Sequence, residues 1–350
     1  MTGIVYSRVR VALAGRALQW APGVLFILLI GTFAALSPRF LSVDNLGAIL
    51  VQSSWLVVVA LGMTFVLLGA GVDLSVGAVM YLAAVAAGMG LPHAPVWVCL
   101  LSSLIVGGLF GAINASLVVR LGLPAFIVTL ALLFVGRGLG LFFSSTRIVY
   151  ANRAVADFGR EVVWGIPAPL WIATAAVAAG WLLLNRTAFG PYLRSIGADA
   201  EGARRAGVPT RAITWSVYVI CGALAGLGGF ISFSQTSAAS GAFGQNAEFL
   251  AIAAAVLGGT SLFGGRGHMW APVIGAVLIM TVQNGLVMIN ANPYAYPVIT
   301  GAVIFFASLL DSVRSRLQKR LERRSIRPES KAGPLVFRSV AHRSVTKTTP

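Results

Sequence analysis

"GAILVQSSWLVVVALGMTFVLLG", residues 47–69, is a run of 23 residues without a charged side chain. A helix needs about 20 largely apolar residues to cross the hydrocarbon core of a bilayer. Within that core every backbone polar group must be satisfied inside the protein, which favours an α-helix over an irregular segment. Since the stretch lacks the alternation of a barrel strand, it predicts a transmembrane helix.

The rest of the chain has the same character. Of its 350 residues 57% are hydrophobic and only 10% are charged, whereas a soluble domain carries about 25% charged residues. The mean hydropathy is +0.86. We therefore predict an all-α polytopic membrane protein with about ten transmembrane helices. The expected spans are roughly 22–37, 47–69, 74–91, 95–119, 125–144, 168–185, 213–235, 247–263, 269–289 and 294–311.

Two glycine-rich breaks suggest that the membrane domain consists of two weakly similar halves. "VLLGAGVDLSVGAVM" (66–80) joins two spans in the first half, and "VLGGTSLFGGRGHMWAPVIGAVL" (256–278) joins two spans in the second. A repeated fold with a substrate path between the halves is common among transporters.

The distribution of Lys and Arg predicts the orientation and the domain boundaries. The segments that share a side with both termini hold 21 of the 26 basic residues and the opposite loops hold 4. The positive-inside rule then places both termini in the cytoplasm. We expect a basic cytoplasmic arm at 1–21, a transmembrane domain at 22–312 and a basic tail at 313–350, disordered or lying on anionic headgroups. Because 11 of the 26 basic residues fall in the last 40, the net charge of +16 does not indicate nucleic-acid binding.

One charged stretch interrupts the apolar chain. "GADAEGARRAGVP" (197–209) lies in the longest predicted cytoplasmic connection, 186–212. It has the pattern of a short capped helix. Asp199 is the capping residue, Glu201 lies in the first turn, and Arg204 and Arg205 lie in the last turn. Gly207 follows the end of the helix. It is either a solvated linker or a docking element for a cytoplasmic partner, to which the small Ala203 and Ala206 would permit close approach.

Polar side chains within or next to the spans are candidates for a translocation path. Asp73 and Ser75 follow the first glycine break, where Asp73 either caps the third span or marks a broken helix on a substrate path. The other polar candidates either bond neighbouring helices or line a wet path. They are Asn114, Thr129, Gln283 and Asn284.

Two ionisable residues of the spans have competing interpretations. Arg137 lies inside a span with no carboxylate near it in sequence, so it either bonds backbone carbonyls or lines the pore. Glu248 begins the eighth span and either caps it or contacts a binding protein. Cys99 and Cys221 lie in apolar runs and are expected to pack as small hydrophobic residues. The sequence has neither metal-ligand spacing nor a nucleophilic constellation, so we expect no metal site and no enzyme activity.

Four stretches carry a resemblance to a known family. In order along residues 45–311 they resemble hallmark segments of the branched-chain superfamily of ATP-binding-cassette importer permeases, and within it they are most similar to the ribose/xylose-type monosaccharide permeases. The stretches are "GVDLSVGAV" (71–79), "LPAFIVTLALLFVGRGLGL" (123–141), "FGPYLRSIGADAEGARRAGV" (189–208) and "AIAAAVLGGTSLFGGRGH" (251–268).

The resemblance implies a transport subunit of the bacterial inner membrane. In that family the permease dimerises, ATPase subunits dock on its cytoplasmic loops, and a periplasmic binding protein delivers the sugar, which makes 186–212 the ATPase-coupling loop. The chain has no G-x-x-x-x-G-K-[ST] phosphate loop, so ATP and Mg²⁺ are expected on the partner ATPase, with no cofactor on this chain. The alternative is a secondary carrier or channel for a small polar solute that is not coupled to ATP. The scarcity of ionisable residues within the spans disfavours a proton-coupled carrier.

Overall fold

The computed structural model describes residues 21–303, 305–306 and 309. The predicted tail at 313–350 lies outside these residues, as does the predicted arm at 1–21 apart from Ala21. Residues Pro22–Leu309 form one compact unit. The expected all-α membrane fold is confirmed, because this unit is built almost entirely of helices.

Twelve α-helices have bounds that fall within the described residues. They are α1 (Ala21–Leu36), α2 (Val43–Leu68), α3 (Val76–Met89), α4 (Val96–Val119), α5 (Ala125–Ser144), α6 (Arg153–Phe158), α7 (Ala168–Arg186), α8 (Phe189–Ala198), α9 (Ala200–Arg205), α10 (Thr210–Thr236), α11 (Ala247–Leu257) and α12 (Ala271–Met288). A 3₁₀ turn, Pro293–Ala295, precedes a further helical stretch at 296–303.

Two small antiparallel pairs of strands complete the described secondary structure. The strands are β1 (Val149–Tyr150), β2 (Val162–Val163), β3 (Ile166–Pro167) and β4 (Ala238–Ala239). β1 pairs with β4, with Val149 opposite Ala239, and β2 pairs with β3. The β1–β4 pair ties the loop after α5 to the loop after α10, so it fixes both at the same end of the bundle.

The helices agree with most of the predicted spans. Six helices, α2, α4, α5, α7, α10 and α12, are long and apolar enough to cross a membrane, which makes the chain a multi-pass membrane protein. The apolar helices α3 and α11 and the apolar part of α1, Phe26–Leu36, are shorter. The tenth predicted span, 294–311, is only partly described, so the total of ten stays a prediction.

The eighth predicted span, 247–263, is wrong as a full span. The helix α11 ends at Leu257. Gly259, Gly264 and Gly265 have φ angles of 106°, 85° and 72°. Positive φ angles end a helix, and residues other than glycine rarely adopt them. At 1.5 Å per residue, 11 residues extend about 16 Å, roughly half of the hydrocarbon core.

Glycines allow α4 and α10 to cross at very short distance. A Cβ atom built at Gly107 or Gly111 of α4 would collide with the backbone of α10, and one built at Gly222 or Gly226 of α10 would collide with the backbone of α4. Both helices carry the small-xxx-small spacing that permits such contact between membrane helices. The close crossing brings polar residues of α4 into the centre of the bundle.

The short helices α3 and α11 meet at their N-terminal ends. A Cβ atom at Gly77, the second residue of α3, would collide with the carbonyl oxygen of Gly244 and with Oε2 of Glu248 at the start of α11. Each helix therefore begins inside the protein rather than at its surface. Short helices that meet inside the protein are also found in transporters, where broken helices surround the substrate path.

Candidate functional site

The break between α2 and α3 has a buried carboxylate at its centre. Asp73 has no exposed surface. Its Oδ1 accepts hydrogen bonds from the backbone N–H of Ser75 at 2.9 Å and from the Ser75 hydroxyl at 2.6 Å. The interpretation of Asp73 as the N-cap of the third span is wrong, because the N-cap of α3 is Ser75, whose side chain makes no capping bond. Asp73 instead closes a local turn that precedes the helix.

Asn114 and Thr129 join this turn from two other helices. Asn114 Nδ2, on α4, donates to Ser75 Oγ at 2.8 Å and lies 3.4 Å from each Asp73 carboxylate oxygen. Thr129 Oγ1, on α5, lies 3.5 Å from the carbonyl oxygen of Val72 and donates to its own helix at 2.9 Å. Four of the seven candidate path residues are therefore brought together; we call Asp73, Ser75, Asn114 and Thr129 the central polar cluster.

The central polar cluster is closed in this conformation. All four residues are at most 1% exposed, so a solute reaches them only after the helices rearrange. Among the described residues Asn114 Oδ1 finds no hydrogen-bond partner, which costs about 1–3 kcal/mol for a buried acceptor. Tyr218 and Cys221 of α10 adjoin the Asp73 carboxylate. Neither residue was predicted at this site; the glycine spacing of α10 predicts a close contact with another helix but does not identify α4. A transport role for the cluster stays a prediction.

Arg137 of α5 holds the segment that leads into α11. Its Nη1 donates to the carbonyl oxygens of Gly241 at 3.2 Å and Phe243 at 2.5 Å. Its guanidinium group also lies over the ring of Tyr81, 5.6 Å from the centroid. Arg137 was expected either to bond backbone carbonyls or to line the pore, and this geometry is that of the first interpretation. Arg137 thereby fixes residues 240–246 and the position at which α11 begins.

Glu248 lies in the first turn of α11 and is buried rather than displayed. It is 5% exposed, and its Oε2 contacts the start of α3 but has no hydrogen-bond partner within the part of the chain that the structure describes. A carboxylate at this place compensates the positive N-terminal ends of two helices, and the charge of Arg137 also attracts it. The burial does not favour direct contact with a binding protein, and that role stays a prediction.

Gln283 and Asn284 lie on α12, away from the central polar cluster. Asn284 Oδ1 accepts from Nδ2 of Asn45 at 3.0 Å, and the same Nδ2 donates to the carbonyl oxygen of Phe40 at 2.8 Å. Asn284 thus joins α12 to the first turn of α2, as polar residues between membrane helices commonly do. Gln283 is half-buried beside it. The structure does not bring these two residues to the central polar cluster.

The charged stretch folds as the capped helix α9. Asp199 Oδ1 accepts from the backbone N–H groups of Glu201 at 3.1 Å and Gly202 at 3.0 Å. Glu201 pairs with Arg204 at 2.7 Å and Arg205 at 3.1 Å, and the bonds from Arg204 and then Arg205 hold the pKa of Glu201 below its ordinary value. These exposed ion pairs fix side-chain orientation more than they add stability.

Ala203 within α9 and Ala206 directly after it differ in burial, and the helix ends as expected. Gly207, with φ of 81°, follows Ala206, and both are exposed. Ala203 is buried in its own chain, so Ala206 is the one available to a partner.

We call the connection 186–212 the charged loop. It holds a second helix, α8, which was not predicted. Its Leu193 and Ile196 are buried, a spacing of three that puts them on one face. At its end, a Cβ atom on Gly197 would collide with the carbonyl oxygen of Leu68, which accepts a hydrogen bond of 2.9 Å from Gly265 N. We call Leu68, Gly197 and Gly265 the backbone junction. Through it, the charged loop contacts the end of α2 and the loop after α11.

Comparison with known proteins finds permeases that are similar to this chain over most of its length. The chain is 35% identical to the ribose import permease protein RbsC of Haemophilus influenzae over 295 residues, which cover 83% of this chain and 91% of the relative. It is 36% identical to the D-allose transport system permease protein AlsC of Escherichia coli over 307 residues, 86% and 94% of the two chains. The fructose import permease protein FruF of Bifidobacterium longum is 33% identical over 290 residues, 80% and 82% of the two chains. No solved structure matches the chain significantly.

The match to a family extends over most of the membrane domain. Residues 45–308 match the family described as the branched-chain amino acid transport system / permease component. This range includes the break at Asp73, the loop with α8 and α9, and both short helices, so the candidate site lies wholly within the matched region. On this match and the similarity of the relatives, the chain belongs to the branched-chain amino acid transport system / permease component family.

Proposed function

We propose that the chain is the permease subunit of an ATP-binding-cassette importer and forms the translocation path for a neutral polar solute, a monosaccharide. One observation carries the proposal: relatives named as ribose, allose and fructose permeases align with 80% or more of this chain and of their own. The low charge of the spans supports a neutral solute, because an ionic one would need compensating charges within the membrane. The charge distribution supports an inner-membrane orientation with both termini in the cytoplasm.

The proposed partners follow from the missing phosphate loop and from the resemblance to importer permeases. Its 350 residues contain no phosphate loop, so an ATPase subunit supplies hydrolysis and binds ATP and Mg²⁺. A periplasmic binding protein delivers the sugar, and a second copy of the chain completes the path as a homodimer. The lipid bilayer surrounds the dimer, and nucleic acid has no part in its function.

The charged loop is the proposed docking element for the ATPase. The side chains of Arg204 and Arg205 are 66% and 77% exposed, so they are free to contact another protein while paired with Glu201. The backbone junction at Gly197 anchors the loop to the transmembrane helices, so a force applied to α8 and α9 reaches the spans as a rigid-body movement. A solvated linker would not need so close an attachment.

Transport assays separate this proposal from a secondary carrier or channel. Membrane vesicles that contain the chain, its ATPase and its binding protein should accumulate a labelled monosaccharide from a panel of pentoses and hexoses. Accumulation should stop on depletion of ATP and survive an uncoupler that removes the proton gradient. Uptake that follows the proton gradient and survives ATP depletion would overturn the proposal and favour the carrier. A ligand screen on the binding protein identifies the sugar.

Docking is tested by reversing charge on the loop. The double variant Arg204→Glu and Arg205→Glu leaves Glu201 among like charges and should reduce co-purification of the ATPase without changing membrane insertion. Its matched control is Arg153→Glu with Arg160→Glu, because these arginines belong to the opposite, non-cytoplasmic loop in the proposed orientation. Equal ATPase recovery from the two double variants would refute the docking assignment.

A further inference from the structure

A cavity of about 570 Å³ opens where the C-terminal end of α4 meets the first turns of α10. Two arginines, one directly after the end of α4 and one in the first turn of α10, lie on its wall together with a tryptophan. Its lining is Val119, Arg120, Arg211, Ala212, Trp215 and Ser216. Arg211 and Trp215 are four residues apart on α10 and therefore lie on the same face of that helix. The cavity is separate from the central polar cluster, which is buried and shares no residue with its lining.

The charge of this cavity is not compensated by neighbours. Within the part of the chain that the structure describes, every salt bridge involves another arginine: Arg153, Arg204 or Arg205. The end of α4 explains a cation at Arg120, since the C-terminal end of a helix dipole is negative. It does not explain Arg211, which lies in the first turn of α10, where the dipole disfavours a cation. An anion between the two arginines would satisfy both.

Trp215 adds a third group that lacks a partner. Its indole Nε1 is buried without a hydrogen-bond acceptor among the described residues. An unpaired buried N–H group is costly, and a ligand oxygen in the cavity that Trp215 lines would supply the missing acceptor. Tryptophan is also enriched at the level of lipid headgroups, where its apolar ring and polar N–H are both satisfied.

The surroundings of the cavity are those of a lipid-facing surface. Only 28% of the apolar window of α4 and of α5 is buried, against 78% for α2, so α4 and α5 present apolar surface outward. Leu121 and Leu123, in the loop that joins α4 to α5, are 65% and 44% exposed beside Arg120. A basic cavity at the end of such helices lies where the headgroups of surrounding lipids lie.

We infer that this cavity binds the headgroup phosphate of an anionic phospholipid, with Arg120 and Arg211 on the phosphate and Trp215 at the boundary between headgroup and acyl chain. The inference rests on the proposed function only for the orientation, which puts the cavity on the cytoplasmic leaflet. Basic pockets between transmembrane helices on that side bind acidic headgroups in other membrane proteins. The bound lipid would clamp α4 to α10, next to the loop that carries α8 and α9.

Lipid titration of the delipidated, full-length protein tests the inference. Phosphatidylglycerol, which carries a net negative charge, is compared with zwitterionic phosphatidylcholine by thermal unfolding and by native mass spectrometry of retained lipid. Phosphatidylglycerol should raise Tm and remain bound, and phosphatidylcholine should do so weakly. In the variant Arg120→Gln with Arg211→Gln, the concentration needed for half of the Tm rise should increase about tenfold or more, since each arginine near an acidic headgroup adds about a fivefold gain in affinity. High salt should weaken the effect in the unmodified chain.

Controls separate the cavity from general electrostatics. The variant Arg153→Gln with Arg160→Gln removes the same charge from the opposite loop and should keep the full response, and Arg120→Lys with Arg211→Lys should keep most of it. Trp215→Phe retains the ring without the N–H and should weaken retention by a smaller factor. If the double glutamine variant does not fold, Arg211→Gln alone is compared by mass spectrometry.

Three outcomes would overturn the inference. The first is an equal response of the cavity and control variants to phosphatidylglycerol. The second is an equal Tm rise with inorganic phosphate, which would assign the cavity to free phosphate. The third is an unchanged lipid response with loss of ATPase co-purification, which would make the cavity a protein contact. Because no transport is measured, failure of the proposed function would appear separately, as absence of ATP-driven uptake.

Discussion

Replacement of Gly197 by alanine should destabilise the protein by disrupting the backbone junction. The added Cβ atom would collide with the carbonyl oxygen of Leu68 and approach Gly265 N to 2.5 Å, and both atoms belong to backbone that cannot rotate away. Overpacking of this kind costs about 1–3 kcal/mol, and loss of the Leu68–Gly265 hydrogen bond costs about 1 kcal/mol. Together they predict a loss of about 2–4 kcal/mol.

Thermal unfolding of the detergent-solubilised chain measures this loss. For a unit larger than 250 residues, 1 kcal/mol corresponds to about 2 °C, so Tm should fall by about 4–8 °C. Gly138→Ala is the matched control, since it also adds one methyl group in a helix but meets nothing within 4 Å. The control should leave Tm unchanged or raise it slightly. A Gly197→Ala protein that unfolds within 1 °C of the control would refute the close packing of the charged loop against α2.

Three further predictions concern other sites. Asp73→Ala should lower Tm by several degrees, because it leaves the Ser75 and Asn114 donors unpaired in a buried site. Asp73→Asn retains an acceptor and should lower Tm less. Equal thermal unfolding of the two variants would contradict the geometry. Arg137→Met should increase hydrogen exchange in residues 240–246 through the loss of two carbonyl contacts, and unchanged exchange would show that Arg137 does not hold the segment. The pKa of Glu201 is lowered in the folded chain, so its contribution to stability is present above pH 4.5 and is lost as the pH falls through the lowered value. Since the carboxylate is exposed, Glu201→Gln should change Tm by less than about 1 °C between pH 5 and 8, and a larger shift in the melting curve would contradict this.

Sequence patterns were sufficient for the long helices and for the local structure of α9. Apolar runs such as residues 47–69 need no tertiary information, because the bilayer demands a helix of fixed length wherever such a run occurs. The cap at Asp199 and the left-handed Gly207 are local effects of neighbouring residues, so the sequence also predicts them. These features depend on contacts within a few residues along the chain.

The errors have two origins, a local glycine turn and contacts between distant residues. The eighth span was predicted too long because hydropathy counts Gly258, Gly259 and Leu262 as compatible with a helix, although the positive φ of Gly259 ends it. The cap, one of the two interpretations of Asp73, was wrong because the sequence does not show that Asn114, 41 residues away, joins Asp73 and Ser75 in one buried turn. The sequence likewise does not show that α3 and α11 meet.

The two glycine breaks are not equivalent in the fold, and their difference suggests how a movement of the charged loop reaches the centre of the bundle. The first break, 69–75, precedes the short helix α3, and the second, 258–270, follows the short helix α11. Leu68 ends α2 immediately before the first break, and Gly265 lies in the second, so the backbone junction touches both. A displacement of α8 at Gly197 therefore acts on the connections to both short helices at once, and these helices meet at Gly77 and Glu248. Contact alone does not establish coupling between sites. The Gly197→Ala protein provides the test, because a disrupted junction should increase hydrogen exchange at the start of α3 and α11 as well as in α8, while Gly138→Ala should change none of the three.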